Sequence, residues 1–169
     1  TMQSPMILAA YEAYGANPTP MSYTEVYSGL QLNMIEGQEN PLSAILTSKF
    51  YEVQDYLCDA QSNLFMTCTC VNPTFFASLP EDIQQIVLET IDEMYPRSFE
   101  IQKELNDTAL DKILDAKPDI NVEELTDDER AAYAELAQNA YAVYGTTVGA
   151  DGQAILDKLL EEIAAIEAK

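Results

Sequence analysis

The stretch Gly15-Ala16-Asn17-Pro18-Thr19-Pro20-Met21, continued by Ser22-Tyr23-Thr24-Glu25-Val26-Tyr27 and by Glu36-Gly37-Gln38-Glu39-Asn40-Pro41-Leu42, carries the densest backbone punctuation in the chain. Gly15 stops the helix before it. Pro18 and Pro20 fix φ and push the residue ahead of each toward extended geometry, so 16–21 reads as a short edge strand or extended connector. Ser22 with Glu25 spells a capping box that launches a helix carrying Val26, Tyr27 and Leu30 inward, with Tyr23 in its first turn. The pattern breaks at Gly37 and restarts at Pro41, which suits the first turn of a helix to about Ser48. Polar residues therefore gather between two helix ends.

Before this stretch, Ser4 and Pro5 supply an N-cap and a first-turn proline, and Ile7, Leu8, Tyr11 and Tyr14 recur on one helical face. After it, 50–58 and 63–71 are rich in aromatic and β-branched residues and partly alternate, which predicts two strands, the second the firmer pattern. Ser78 and Glu81 spell a second capping box around Pro80. Apolar residues then follow at helical spacing from Ile83 through Leu114, predicting one helix over about 80–115. At 1.5 Å per residue it would be on the order of 54 Å long, longer than a compact domain of this size is wide. Pro96 near its middle predicts a kink, because it removes a hydrogen bond and crowds the Asp92 carbonyl. Thr126 and Glu129 make a third capping box for a helix to Gly145, and a last helix carries Ile155, Leu156, Leu159, Leu160, Ile163 and Ile166.

The 169 residues are 47% apolar, with 8 Lys+Arg, 29 Asp+Glu and no His, a formal charge of −21. A chain of this size buries roughly 70% of its unfolded surface, enough for one core or two small lobes. Its field has the wrong sign for nucleic acid or an anionic leaflet, so neither is an expected partner. Without His, Ser-His-Asp and Cys-His catalysis and His-ligated zinc are excluded. Lys49 is the only basic residue before Arg97, against twelve Asp and Glu in the same stretch. No apolar run approaches the ~20 residues of a spanning helix, and no basic-then-apolar leader precedes Ser4. Cys58, Cys68 and Cys70 cannot all pair within one chain, and Cys68 and Cys70 are too close in a strand to bridge comfortably. They read as small buried hydrophobes; three thiolates without a fourth ligand make a poor soft-metal site, so no metal or cofactor is expected.

Taken together, the blocks Gly15 to Met21, Thr24-Glu25-Val26-Tyr27, Leu30-Gln31, Glu36 to Leu42, Lys49-Phe50-Tyr51-Glu52-Val53 and the helix-opening Leu79-Pro80-Glu81-Asp82 resemble the extracytoplasmic solute-binding proteins of tripartite ATP-independent periplasmic (TRAP) transporters, in their dicarboxylate- and sialic-acid-type branch. Beyond about residue 120 only the helical layout agrees. The resemblance implies an α/β, periplasmic-binding-protein-like two-lobe clamshell about twice this length, with a long helix across both lobes and the ligand in the cleft. It implies that the chain is a C-terminal half: 1–62 would complete the second lobe, and 63–169 would return to the first with the long kinked helix and the C-terminal helices. It also implies that the arginine holding the ligand carboxylate would immediately precede Thr1.

Three residues match ligand-lining positions of that family. Asn40 matches the asparagine whose amide donates to the carboxylate, and its other reading is an N-cap for the helix at Pro41. Tyr23 matches an aromatic that packs on the ligand body, and Phe65 lies on the strand returning across the cleft; each could equally be core. Ser62 falls where many relatives carry His. Gln38 and Glu39 read as shaping the Gly37 turn. The function implied is capture of an organic acid outside the cytoplasmic membrane, in a periplasmic, extracellular or lipid-anchored parent with a signal peptide, and its delivery to TRAP membrane subunits. A carboxylate-dependent enzyme would need an acidic pair at defined separation, and none stands out from the solvated faces. A helical interaction module built from 80–169 is the remaining alternative. Half a cleft would leave apolar surface uncovered, so isolated chains are expected to associate.

Overall fold

The computed structural model describes residues 1–167. In chain order the elements are α1 Pro5–Ala13, α2 Val26–Gln31, α3 Leu42–Thr47, β1 Tyr56–Asp59, α4 Pro73–Ser78, α5 Glu81–Asp107, α6 Ala109–Ala116, β2 Asn121–Glu124, α7 Asp127–Ala137 and α8 Asn139–Glu167, with single 3-10 turns at Tyr23–Glu25 and Phe50–Val53. They form two compact units that interleave in sequence. The first holds 1–39, 56–62 and 122 onward; the second holds 40–55 and 63–121. Residue 62/63 is one of the points where the chain crosses between them.

In the first unit α1 lies against α7 and α8. Gly15, at φ 87, ends α1 in a backbone region that a side chain resists, which is why the helix stops there. Val26, Leu30, Leu57, Ala140 and Leu156 are its buried apolar residues. β1 and β2 pair as a two-stranded sheet. Arg130, one turn into α7, donates from Nη1 to the Ala60 carbonyl at 2.6 Å and from Nη2 to the Leu125 carbonyl at 3.2 Å. The capping box at the start of α7 is complete: Glu129 N donates to Thr126 Oγ1 at 3.3 Å, and Thr126 N donates to Glu129 Oε2 at 2.9 Å. The helix expected from Thr126 to Gly145 is divided at Gln138: α7 ends at Ala137, and α8 runs on through Gly145. Gly149, at φ 73 and ψ −168, kinks α8 with a conformation open only to glycine.

In the second unit Ile45, Phe50, Tyr51, Ala109, Ile113 and Ile120 form the core, with Phe50 and Ile113 almost wholly enclosed. α3 packs on α5 and α6. α3 starts from Pro41 without a side-chain cap of its own, and its second N–H, at Ser43, donates to Asn106 Oδ1 of α5 at 3.1 Å. Gln102 Nε2 of α5 adds a bond to Ser43 Oγ at 2.9 Å, which fixes α3 on that helix. Lys117 donates to the Gln54 carbonyl at 2.7 Å and to Asp55 Oδ1 at 3.0 Å.

Several expectations are corrected. Residues 63–71 carry no regular secondary structure and are exposed. An extended, alternating segment becomes a strand only when a neighbour takes its N–H and C=O groups, and the only sheet among the described residues is β1-β2. Of 50–58, only the end is strand. Lys49 enters the left-handed region at φ 57, and Phe50–Val53 tightens into a 3-10 turn that buries Phe50 and Tyr51. The cysteines, read as buried, are all exposed. The single helix over 80–115 is two, divided at Thr108 (φ −102, ψ −4), and the break lets Ala109 and Ile113 of α6 turn into the core. Pro96 lies inside α5 without ending it. Two of the three capping boxes do not form: Ser22 Oγ bonds Thr24 Oγ1 at 3.0 Å, and Ser78 Oγ donates back to the Phe75 carbonyl at 2.7 Å, closing α4. α4 and β2 were not anticipated, although Asn72-Pro73 is a cap followed by a first-turn proline, and Asn72 Oδ1 accepts from the N–H groups of Thr74 and Phe75.

Thr126→Ala removes the side-chain half of the one complete capping box and is expected to destabilise the chain by about 1 kcal/mol. Thr126→Ser, which keeps the hydroxyl, should recover most of that loss. Urea melts of the three proteins check it, and an unchanged midpoint for Thr126→Ala would mean the box contributes nothing.

Candidate functional site

Helical spacing puts Tyr11 and Tyr14 on one face of α1. Their rings meet edge to face at 5.4 Å and 72°, and Tyr14 meets Tyr133 of α7 edge to face at 5.0 Å and 86°. Such pairs contribute about 0.5–1.5 kcal/mol beyond the area they bury. Ser62 makes a side-chain hydrogen bond with the Tyr11 phenol, and the Glu39 carboxylate acts on the same ring. Glu39 Oε2 is withdrawn from solvent. Burial first, and the Glu39 charge second, push the Tyr11 phenol up to about 12, while the Ser62 bond pulls the other way. Tyr14 is raised by burial, then by Tyr133, Tyr141 and Glu39. All of these residues belong to the first unit.

This cluster offers phenol faces, protonated phenols and a carboxylate. Each of these groups can stack on or hydrogen-bond a small molecule. Sequence reasoning saw Tyr11 and Tyr14 only as an apolar helix face and Glu39 only as part of a turn. Nothing in the spacing connects 11, 39 and 62.

The three expected ligand residues take different settings. Tyr23 opens the 3-10 turn ahead of α2 and is 50% exposed. Asn40 is half-buried one residue ahead of the helix-starting Pro41. Phe65 lies in the irregular 63–71 segment and is 37% exposed, so it is not a core residue, unlike its exposed neighbours Leu64 and Met66 only in degree. Asn40 and Phe65 belong to the second unit and Tyr23 to the first, so the three are not assembled within either unit. Among the described residues no group of three or more His, Cys, Asp and Glu could hold a metal ion, and no helix is long and apolar enough to cross a membrane.

Because the folded chain holds the Tyr11 phenol above its ordinary 10.0, the fold favours the neutral form. That contribution is full below pH ~10 and is lost as pH rises through about 12. Tyr11→Phe is expected to flatten the alkaline part of the stability profile, and phenolate absorbance should lose its highest-pH step. Identical alkaline profiles for the two proteins would show that Tyr11 is not the residue held neutral.

Residues 1–146 match the family described as "Bacterial extracellular solute-binding protein, family 7". Over 164 residues the chain is 38% identical to the ectoine/5-hydroxyectoine-binding periplasmic protein of Ruegeria pomeroyi, covering 97% of this chain and 48% of that protein. The structure of the periplasmic ectoine-binding protein of the Halomonas elongata TRAP transporter superposes with a TM-score of 0.91 at 34% identity, over 98% of this chain and 54% of that one. A TRAP periplasmic solute-binding protein from Desulfovibrio salexigens with bound orotic acid gives 0.84 at 33%, over 98% and 53%. The chain spans about half the length of the relatives it matches. With the fold of TRAP periplasmic binding proteins and a family match that begins at its first residue and runs through α7 into α8, the chain belongs to the bacterial extracellular solute-binding proteins of family 7.

Proposed function

We propose that this chain is part of the solute-capturing component of a TRAP transporter, taking an organic solute that bears a carboxylate and passing it to the membrane subunits for ion-gradient-driven uptake. The observation that carries the reading is the superposition of nearly the whole chain on an ectoine-binding protein of a TRAP transporter. Ectoine and orotic acid, named for two of the relatives, share a carboxylate on a small ring. In this reading Asn40 donates its amide to the carboxylate, while Tyr23 and Phe65 pack against the ring. An amide suits the task because it supplies a donor without bringing a further charge into an acidic protein.

In the complete protein, residues 1–62 would complete the second lobe and 63–169 would return to the first. Ligand would favour the closed form by binding it more tightly than the open one. The protein performs no chemistry of its own, and works in the periplasm or outside the cell, free or lipid-anchored. Burying a carboxylate without a cationic or well-bonded partner costs several kcal/mol. Lys49, the single cation of the first 96 residues, is 3.2 Å from Glu52, so the charge that meets the carboxylate comes from elsewhere in the complete protein. The present chain alone therefore binds such solutes weakly, and the apolar side chains left open on α5, among them Ile86, Met94 and Phe99, favour self-association.

Calorimetric titration of ectoine, orotate and a C4-dicarboxylate into a protein of the relatives' full length tests the reading. At least one should bind tightly, Asn40→Ala should weaken it by about 1–3 kcal/mol, and Asn40→Asp should weaken it further. Failure of every carboxylate to bind would overturn the assignment, and unchanged affinity in both variants would remove Asn40 from the site.

A further inference from the structure

Asn40 is joined to α3 by the single residue Pro41. Pro41 stands at φ −56 and ψ 147, its φ held by the ring, and the same ring confines Asn40 to extended geometry. Little torsional slack is left between Asn40 and the first turn of α3, so the place of that turn sets the place of the Asn40 backbone. Ile45 anchors α3 in the apolar core with Ala109 and Ile113. Apolar burial is non-directional, however, and leaves a helix of six residues room to roll or slide. Direction has to come from hydrogen bonds.

α5 supplies them. The Ser43 N–H is one of the first-turn donors that a helix cannot satisfy from within, and it donates to Asn106 Oδ1 at 3.1 Å, across 63 residues of sequence. Asn106 Nδ2 donates to the Gln102 carbonyl, one turn back, at 3.1 Å. The amide is therefore held at both ends, its donor on a carbonyl and its acceptor on an N–H, which fixes the way it faces. Gln102 Nε2 donates to Ser43 Oγ at 2.9 Å, a second tie from the same helix. Asn40, α3 and α5 all belong to the second unit.

We propose, on the solute-binding reading of Asn40, that Asn106 is a positioning residue for the ligand site: by capping α3 it holds the Asn40 amide where the solute carboxylate meets it. Asn106 acts through Asn40 and not by contact with the solute. A hydrogen bond weakens steeply as its donor turns away from the acceptor. A donor whose backbone must first be ordered also loses affinity to that ordering, and a donor already held does not.

The experiment titrates ectoine, orotate and succinate calorimetrically into a protein of the relatives' full length that carries Asn106→Ala, Asn40→Ala, both or neither, with urea melts to establish that each is folded. Asn106 is only half-buried and alanine is a strong helix former, so the helix itself tolerates the change. Asn106→Ala should weaken binding about three- to tenfold. In the Asn40→Ala background the same change should cost less than about twofold, because the group being positioned is gone. Asn106→Asp keeps an acceptor for the Ser43 N–H and should recover most of the affinity. Unchanged affinity in Asn106→Ala, an equal loss with and without Asn40, or a loss in Asn106→Asp as large as that in Asn106→Ala would each overturn the role of Asn106. Failure of all three solutes to bind the unsubstituted protein would overturn the solute-binding reading and this role with it, whereas binding that Asn40→Ala weakens and Asn106→Ala does not removes Asn106 alone.

Discussion

A strand of four residues cannot hold itself in place, and an isolated two-stranded pair is marginal in water. Around β1 the deficit is met by two cations donating to main-chain carbonyls: Lys117 to Gln54 just ahead of the strand, and Arg130 to Ala60 just after it. Hydrogen bonds with a charged donor are roughly twice as strong as neutral ones, and each of these spans more than sixty residues of sequence. Arg130 is placed by α7, whose start is set by the Thr126 box. Three residues on, Tyr133 of the same helix reaches Tyr14. Cap, carbonyl bond and aromatic contact are thus successive consequences of where one helix begins.

What the sequence disclosed follows the range of the forces involved. The Pro5 start and Gly15 stop of α1 and the Thr126 box are set by interactions within four residues, and the pattern states them directly. The failures are elsewhere. Ser22 and Ser78 have the right neighbours for a capping box, yet each hydroxyl found a nearer partner. The break at Thr108 serves the burial of Ala109 and Ile113 in a core shared with Ile45 and Phe50, and no window around Thr108 contains those partners. For 63–71, alternation described which side chains share a face but could not supply the neighbouring strand that would make the pattern a sheet.

The candidate site divides along the same line. Asn40, Tyr23 and Phe65 came from matching blocks of sequence, and the structure gives each a local setting: ahead of a helix start, at the head of a 3-10 turn, and in an exposed irregular segment. Family membership was legible because glycine and proline spacing between 15 and 42 is itself backbone geometry written in sequence. The tyrosine group with Glu39 and Ser62 was not, since those residues meet only after α1, the turn before Asn40 and the end of the β1 segment have folded together.

Lys117 and Arg130 also bear on how the protein meets dissolved ions. Even if each of the eight basic residues neutralised one carboxylate, twenty-one negative charges would remain, the difference between 29 and 8. Their mutual repulsion opposes compactness and extends over a Debye length of about 10 Å at 0.1 M salt, shrinking to about 3 Å at 1 M. The bonds from the two cations to carbonyls are direct, part-buried and short, so added electrolyte screens the repulsion far more than it weakens the ties. Rising ionic strength therefore shifts the balance toward the folded chain, and brine is a kinder solvent for it than fresh water.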